Sequence, residues 1–494
     1  MGIVFRQSIK STIVIFAGAL LGAGINVVYT HVFPQNLLGV SRNLINQGAV
    51  LYLFLMMGTI SIIHTYAQRY ALNDPKRPVV ITFSLIVPVL ATLLFCIPYF
   101  LMKDFVVGRY QGFDRQYVSE FYDWLPVLGL LWSFMALLEY YLMSQMKVAL
   151  GNSMREIVLR LGNVALIAAF FFGLIDFHQF VIGTVLVHLL PVSLLFYFSA
   201  RTEGFGFSLN WKLFSKPELK SIVHYSWYHM LLMVSLSLTG TLDILLLAPL
   251  SPNGLADVAT YNFALFLISI LTIPYKAMSG AAFPRLNQAF VDNELNLHSL
   301  FRRSSLNMQI VAMGMWLVVI CNLQNAVGIL PEQYAALAPC VLILSIGRMI
   351  DMATGLNTEL ISITNYYKFT FRLSLALLVA IVIFDRIFIP QYGLFGAAWV
   401  STITLAVFNL FKMGFLYRKM RLSPLSKQTG LIALVGVAIY FLNFLLPQMS
   451  HPVVDALYRT VILVSLFAGA MFYLRPSPDL SEFLKQIRKS KRLF

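Results

Sequence analysis

The stretch "VLILSIGRMIDMATGLNTELISI", residues 341–363, is apolar enough to cross a membrane, yet it holds Arg348, Asp351 and Glu359. A guanidinium in such a place can grip a carboxylate or a phosphate, and a carboxylate can carry a proton or a cation. Each charge costs about 2.5–3.5 kcal/mol on insertion scales, so a lipid-facing position is excluded. At about 100° per residue, Asp351 falls about 60° to one side of Arg348 and Glu359 about 20° to the other. Gly355 and Ser362 fall within about 40° of Arg348, so the five residues form one helical stripe, with Asn357 opposite. The stripe faces either protein, through an Arg348–Asp351 pair at i,i+3 that locks helices together, or a water-filled cavity.

Other polar groups lie at membrane depth. Arg42 and Asn46 are four residues apart on one face of the second apolar run, next to Gln47, and Asn26 lies in the first run. Arg42 has no carboxylate nearby in sequence, so it could hold an anion or snorkel to outer headgroups. Glu139, toward the inner end of the fourth run, could pair with Lys147 or with another helix. Asp243, near the outer end of the seventh, suits a packing hydrogen bond or ion binding equally. Glu139 and Asp243, like Asp351 and Glu359, are candidates for proton or ion coupling. His64, His188 and His229 read as packing residues and Lys276 as an interfacial anchor.

These residues need a membrane scaffold, and the composition supplies one. Of 494 residues, 59% are hydrophobic and only 12% charged, against about 25% charged in a soluble chain. Apolar runs of helix-spanning length recur throughout, which predicts an all-α polytopic membrane protein rather than a barrel. Spans are placed at about 11–31, 38–65, 79–101, 124–146, 157–175, 179–199, 224–247, 257–276, 304–329, 335–365, 369–389, 393–416, 428–446 and 456–474, about fourteen in all. The first follows Arg6 and Lys10 and reads as an uncleaved helix rather than a signal peptide. With both termini cytoplasmic, 29 of the 36 lysines and arginines fall inside. Outside lie Arg42, Lys103, Arg109, Arg115, Arg386 and Arg459, a strong positive-inside asymmetry. The net charge of +15 thus reads as topology and attraction to anionic lipid, with no nucleic-acid partner.

The same survey excludes several functions. No Walker A pattern, nucleophile–base pair or metal-ligand cluster stands out, and Cys96, Cys321 and Cys340 sit in apolar runs without metal spacing. No enzyme activity and no cofactor are expected. The longest outer loop, about 22 residues from Lys103, is too short for the catalytic domain of a membrane polymerase or ligase. "EFLKQIRKSKRLF" at the C-terminus reads as a basic solvated tail or a surface helix.

The layout divides into an N-terminal six-helix bundle over 1–200, a cytoplasmic linker over 201–223, a second six-helix bundle over 224–420, and two extra helices with a basic tail over 421–494. The segments from Ser144 and from Ser362 share a layout, each passing through a basic turn into two spans joined by a short outer link. Both start inside, which makes the repeat parallel, and such transporters hold substrate between their halves.

Three patches carry a family resemblance. "FIPQYGLFGAAWVSTIT", from Phe388, looks like the link between helices eleven and twelve of the polysaccharide and oligosaccharide flippases, through Ile389, Pro390, Tyr392, Gly393, Gly396, Ala397 and Ala398. "AAFPRLNQAFVDNELNLHSLFRRSS", from Ala281, resembles the segment after their eighth helix, through Pro284, Arg285, Leu286, Arg302 and Arg303. "RNLINQGA", from Arg42, is similar to the second helix of the lipid II flippases. By these patches the chain resembles a Wzx-like flippase of the multidrug/oligosaccharidyl-lipid/polysaccharide (MOP) exporter superfamily. Fourteen spans suit those flippases, whereas the multidrug exporters usually have twelve. Independently of the family, Pro390 is expected to break its helix at the outer surface, with Gly393 and Gly396 allowing a tight turn and close packing.

The resemblance implies alternating-access translocation of an undecaprenyl-diphosphate-type oligosaccharide across the bacterial cytoplasmic membrane, in surface polysaccharide or lipopolysaccharide assembly. Arg42, and Arg348 if it is not fully paired with Asp351, would hold diphosphate, and Asn26, Asn46 and Gln47 would bond sugar hydroxyls, with Asp351 and Glu359 in the same cavity. The expected partners are the lipid-linked glycan, membrane lipid and other polysaccharide assembly proteins, around a monomer. The alternative is a cation-coupled exporter of small molecules. Exporters of that kind resemble one another in an acidic residue of the first helix, where this chain has Asn26.

Overall fold

The computed structural model describes residues 3–273, 275, 279, 286, 288–290, 297–364 and 366–480. Lys276, Pro284, Arg285 and the tail from Glu482 lie outside the described residues, as does the side chain of His64. The described chain is helical with no strand, and it forms two compact units, Met1–Ala259 and Thr260–Phe494.

The first unit contains α1 (Ile3–Val32), α2 (Gln35–Leu55), α3 (Thr59–Arg69), α4 (Lys76–Leu101), α5 (Gly112–Phe121), α6 (Leu125–Ser144), α7 (Leu159–Phe171), α8 (Phe177–Leu186), α9 (Leu189–Ala200) and α10 (Lys216–Leu250). At its centre stands α6, packed against α2, α3, α4 and α9. Met135, Leu137, Leu138, Tyr141 and Leu142 of α6 form a core with Leu53, Met56 and Met154. The expected second span is two helices, broken where Met57 and Gly58 take positive φ values of 44° and 75°. Ser226 of α10 donates to the freed Met57 carbonyl at 2.8 Å, so the break is satisfied inside the protein. The outer loop expected from Lys103 instead folds into short helices, and Asp114 of α5 accepts from the Leu255 amide at 2.8 Å.

α11 (Leu255–Ile270) begins in the first unit and ends in the second. The second unit continues with α12 (Leu297–Cys321), α13 (Leu337–Thr354), α14 (Asn357–Ser362), α15 (Tyr367–Tyr392), α16 (Leu394–Met420), α17 (Lys427–Leu442) and α18 (Pro452–Leu474). α16 lies against α13 and α15, while α12 packs on α13, α17 and α18. Lipid gives such helices no hydrophobic drive to associate, so close packing and polar bridges hold them. Arg459 of α18, counted from sequence among the outer charges, is one such bridge. It is 7% exposed and its Nε donates to Asp455 at 2.5 Å. Its Nη1 donates to the Asn443 backbone and side-chain oxygens at 2.9 and 2.8 Å.

Among the described residues nine helices are long and apolar enough to cross a membrane, or ten if the bent pair Lys216–Ser235 and Ser237–Leu250 is one span. The chain is a polytopic membrane protein. Pro390 does not break its helix as expected: α15 runs through it to Tyr392, and the turn comes at Gly393, whose φ is 53°.

Candidate functional site

The expected stripe on a single helix is not continuous. α13 stops at Thr354, because Gly355 takes a φ of 63° and a ψ of −141°, a conformation closed to side chains with a Cβ. α14 then starts afresh at Asn357. The physical reason is local: a Cβ at Gly355 would collide with Ser305, so the chain turns where α12 presses on it. Asn357, placed opposite the stripe on an unbroken helix, is thereby brought back into it.

The result is a polar network inside the second unit. Arg348 Nη1 donates to Asp351 Oδ2 at 2.9 Å, so the i,i+3 pair forms. Asn409 of α16 donates to the other Asp351 oxygen at 2.9 Å and accepts from Asn357 at 3.1 Å. Thr354 joins by donating to the Asp351 carbonyl at 2.8 Å. Glu359 accepts from the Tyr275 hydroxyl. Beside them Lys412, 2% exposed, donates to the Thr358 hydroxyl at 2.8 Å. No carboxylate among the described residues reaches its Nζ within 4.0 Å. Lys412 lies within the span expected at about 393–416, and α16 carries it into the interior. Arg348 Nε and Glu359 Oε2 are buried without partners among the described residues.

The first unit holds the remaining expected residues, in separate places. Arg42 Nη2 donates to Asn26 Oδ1 at 2.7 Å, and its guanidinium lies 4.8 Å from the centre of the Tyr29 ring. Gln47 donates to the Tyr110 hydroxyl at 3.2 Å. Asn46 lies in α2 between Arg42 and Gln47, its Nδ2 buried without a partner among the described residues. Asp243 is buried in α10. Glu139 pairs not with Lys147 but with Arg155, whose Nη2 donates at 2.6 Å. His188 is a satisfied packing residue, its Nδ1 3.0 Å from the Thr184 carbonyl.

Arg155 is the residue that the sequence reading missed. It sits in a π-helical turn, Met154–Val158, just before α7. Such turns add a residue to the helix and recur at functional sites, because they re-aim a side chain. Here the guanidinium is half exposed while Glu139 behind it is 6% exposed. It lines a cavity of about 320 Å³ with Tyr52, Tyr140, Tyr225, His229, Ser61 and Thr65. The lining joins one cation to aromatic rings and hydroxyls, a set suited to an anionic group attached to a ring-shaped polar one. None of the nine site residues expected from sequence is in this lining, although Glu139 anchors Arg155.

No protein-family profile matches the chain. It is 21% identical over 489 residues to an uncharacterized membrane protein of Methanocaldococcus jannaschii, an alignment covering 93% of this chain and 91% of that one. Among solved structures it is similar to the lipid II flippase MurJ in an inward closed conformation. That likeness has a TM-score of 0.74 at 10% identity, over 94% of this chain and 99% of the other. It is also similar to an inward-facing multidrug resistance MATE family transporter of the MOP superfamily. There the TM-score is 0.65 at 16% identity, over 82% and 94% of the two chains. A MOP superfamily transporter from Pyrococcus furiosus, described by a reversed polarity of its binding pocket, gives 0.58 at 16%, over 85% and 95%. The fold is that of the MOP-type transporters. On this MOP-type fold, the mid-helix break at Gly58 and the π turn at Arg155 fall around one cavity. The signals for them were present in the sequence only as a lone glycine and a lone arginine.

Proposed function

We propose that this protein translocates a lipid-linked oligosaccharide, its lipid a polyprenyl diphosphate of the undecaprenyl type, across a cytoplasmic membrane by alternating access. The observation that carries the reading is the overlap with a lipid II flippase along 94% of the chain, where the MATE transporter overlaps 82%. The first unit's cavity supplies matching chemistry. Arg155 holds the diphosphate through charge-assisted bonds, and Glu139 keeps the guanidinium aimed. The rings and hydroxyls of Tyr52, Tyr140 and Tyr225 take up sugar faces and hydroxyls. Arg42 with Asn26, and the Arg348–Asp351–Asn409 network with Lys412, are further polar stations of the polar head. The lipid tail stays in the bilayer, so no enclosed apolar channel is required.

Reconstitution tests this reading. Proteoliposomes carrying a fluorescent polyprenyl-diphosphate oligosaccharide are exposed to an impermeant quencher. Protein-dependent access of the inner-leaflet label to the quencher supports the proposal, and access equal to that of empty liposomes refutes it. A second reading, export of small organic molecules, is favoured by the higher identity to the MATE structures, 16–17%. Altered drug susceptibility with normal surface glycan in a deletion strain would select it. Asn26, where such exporters place a carboxylate, counts against it.

A further inference from the structure

At the opposite end of the second unit from the Asn443–Arg459 bridge, three arginines border one cavity of about 560 Å³. Arg302 and Arg303 come from the first turns of α12, Gln428 from the start of α17, and Arg475 from just past α18. Among the described residues the three cations have one carboxylate to share. Arg303 lies 3.7 Å from Asp479, while Arg302 donates to the neutral Gln428 oxygen at 3.1 Å. Arg475 makes no ion pair within 4.0 Å among the described residues.

Two features show that the place is built. Arg475 has a φ of 47°, in the left-handed region where glycine or asparagine normally closes a helix. The chain keeps a long cation there at a conformational cost that glycine would avoid. The segment after it is strapped across α12. Ser477 donates to the Asn307 oxygen at 2.5 Å, and the Asn307 amide donates to Asp479 at 2.5 Å. Leu480 packs on the core of α12, α17 and α18. Arg475 is thus held at the rim of the cavity rather than left on a loose tail.

We propose that this cavity binds a phosphate group, carried either by the headgroup of an anionic phospholipid or by a soluble phosphate or diphosphate. Arg302 and Arg475 are its principal ligands, with Arg303 behind them. The proposal is independent of the transported substrate, because its residues are other than those of the Asp351 network and of the Arg155 cavity.

The test uses the full-length protein in nanodiscs of phosphatidylcholine, alone or mixed with phosphatidylglycerol. Retained lipid is read by native mass spectrometry, and inorganic pyrophosphate is titrated calorimetrically into the phosphatidylcholine sample. The wild type is expected to retain phosphatidylglycerol over phosphatidylcholine or to bind pyrophosphate saturably, and which arm responds names the source of the phosphate. In R302Q/R475G, where glycine keeps the backbone conformation, the response falls by roughly ten-fold or more, and in R475K it largely returns. If the double variant is not recovered folded, R475Q alone, an exposed position, gives the same reading. Neither response in the wild type, or a response unchanged in R302Q/R475G and in R475Q, overturns the proposal.

Discussion

Replacing Arg155 by Gln tests the asymmetry of its ion pair with Glu139. The carboxylate is 6% exposed and the guanidinium 49%. Glu139 Oε1 already lacks a partner among the described residues, so the pair rests on the 2.6 Å bond to Oε2. R155Q strips a buried carboxylate of the one cation that reaches it among the described residues, which costs about 3–5 kcal/mol. E139Q leaves a guanidinium that reaches water, so its cost is nearer about 1 kcal/mol. The double variant E139Q/R155Q removes both charges and returns to within about 1–2 kcal/mol of wild type, as buried pairs replaced together do. Thermal unfolding in detergent ranks the four proteins, and the quencher assay runs on the same samples. Transport should fall in all three variants, because E139Q loses the aim of Arg155 and R155Q loses the cation itself. Equal destabilisation by the two single changes, or no recovery in the double variant, would refute the reasoning.

R42A should reduce glycan export without lowering the protein level, since Arg42 is tied to Asn26 and the Tyr29 ring rather than to a core bridge; unchanged export at equal expression removes it from the site. G355A forces a Cβ onto Ser305 at a positive φ and should cost about 1–3 kcal/mol, read as a lower unfolding temperature. D455N should destabilise by about 3 kcal/mol by leaving Arg459 a buried cation without its counter-charge, while transport by the surviving folded fraction stays normal. K412M removes a buried cation held by the Thr358 hydroxyl and the Phe408 ring, with no carboxylate within 4.0 Å among the described residues, so stability should change by less than about 1 kcal/mol while the transport rate drops.

The membrane class and the all-helical fold were legible because burial in lipid writes itself into every apolar run. The Arg348–Asp351 contact was legible for a similar reason, since i,i+3 neighbours meet on any helix. Its surroundings were not. A stripe computed on a straight helix cannot anticipate that Gly355 turns the chain and swings Asn357 round to Asn409. Nor does periodicity place Arg155 against Glu139, because the two lie on separate elements joined only by tertiary packing. Lys412 went unremarked for a different reason: only the neighbouring α14, through the Thr358 hydroxyl, gives it an interior partner. Asn409 could have been noticed as an amide deep in an apolar run, one turn before that lysine.

The central claim, movement of a lipid-linked glycan, is tested most directly in cells depleted of this protein. Lipid-linked intermediates are extracted, identified by mass, and assayed for sidedness with an impermeant glycosidase on intact spheroplasts. The account predicts accumulation of a polyprenyl-diphosphate oligosaccharide that the added enzyme cannot reach until the membrane is opened. Absence of any such intermediate, or one equally digested before and after opening, would contradict it.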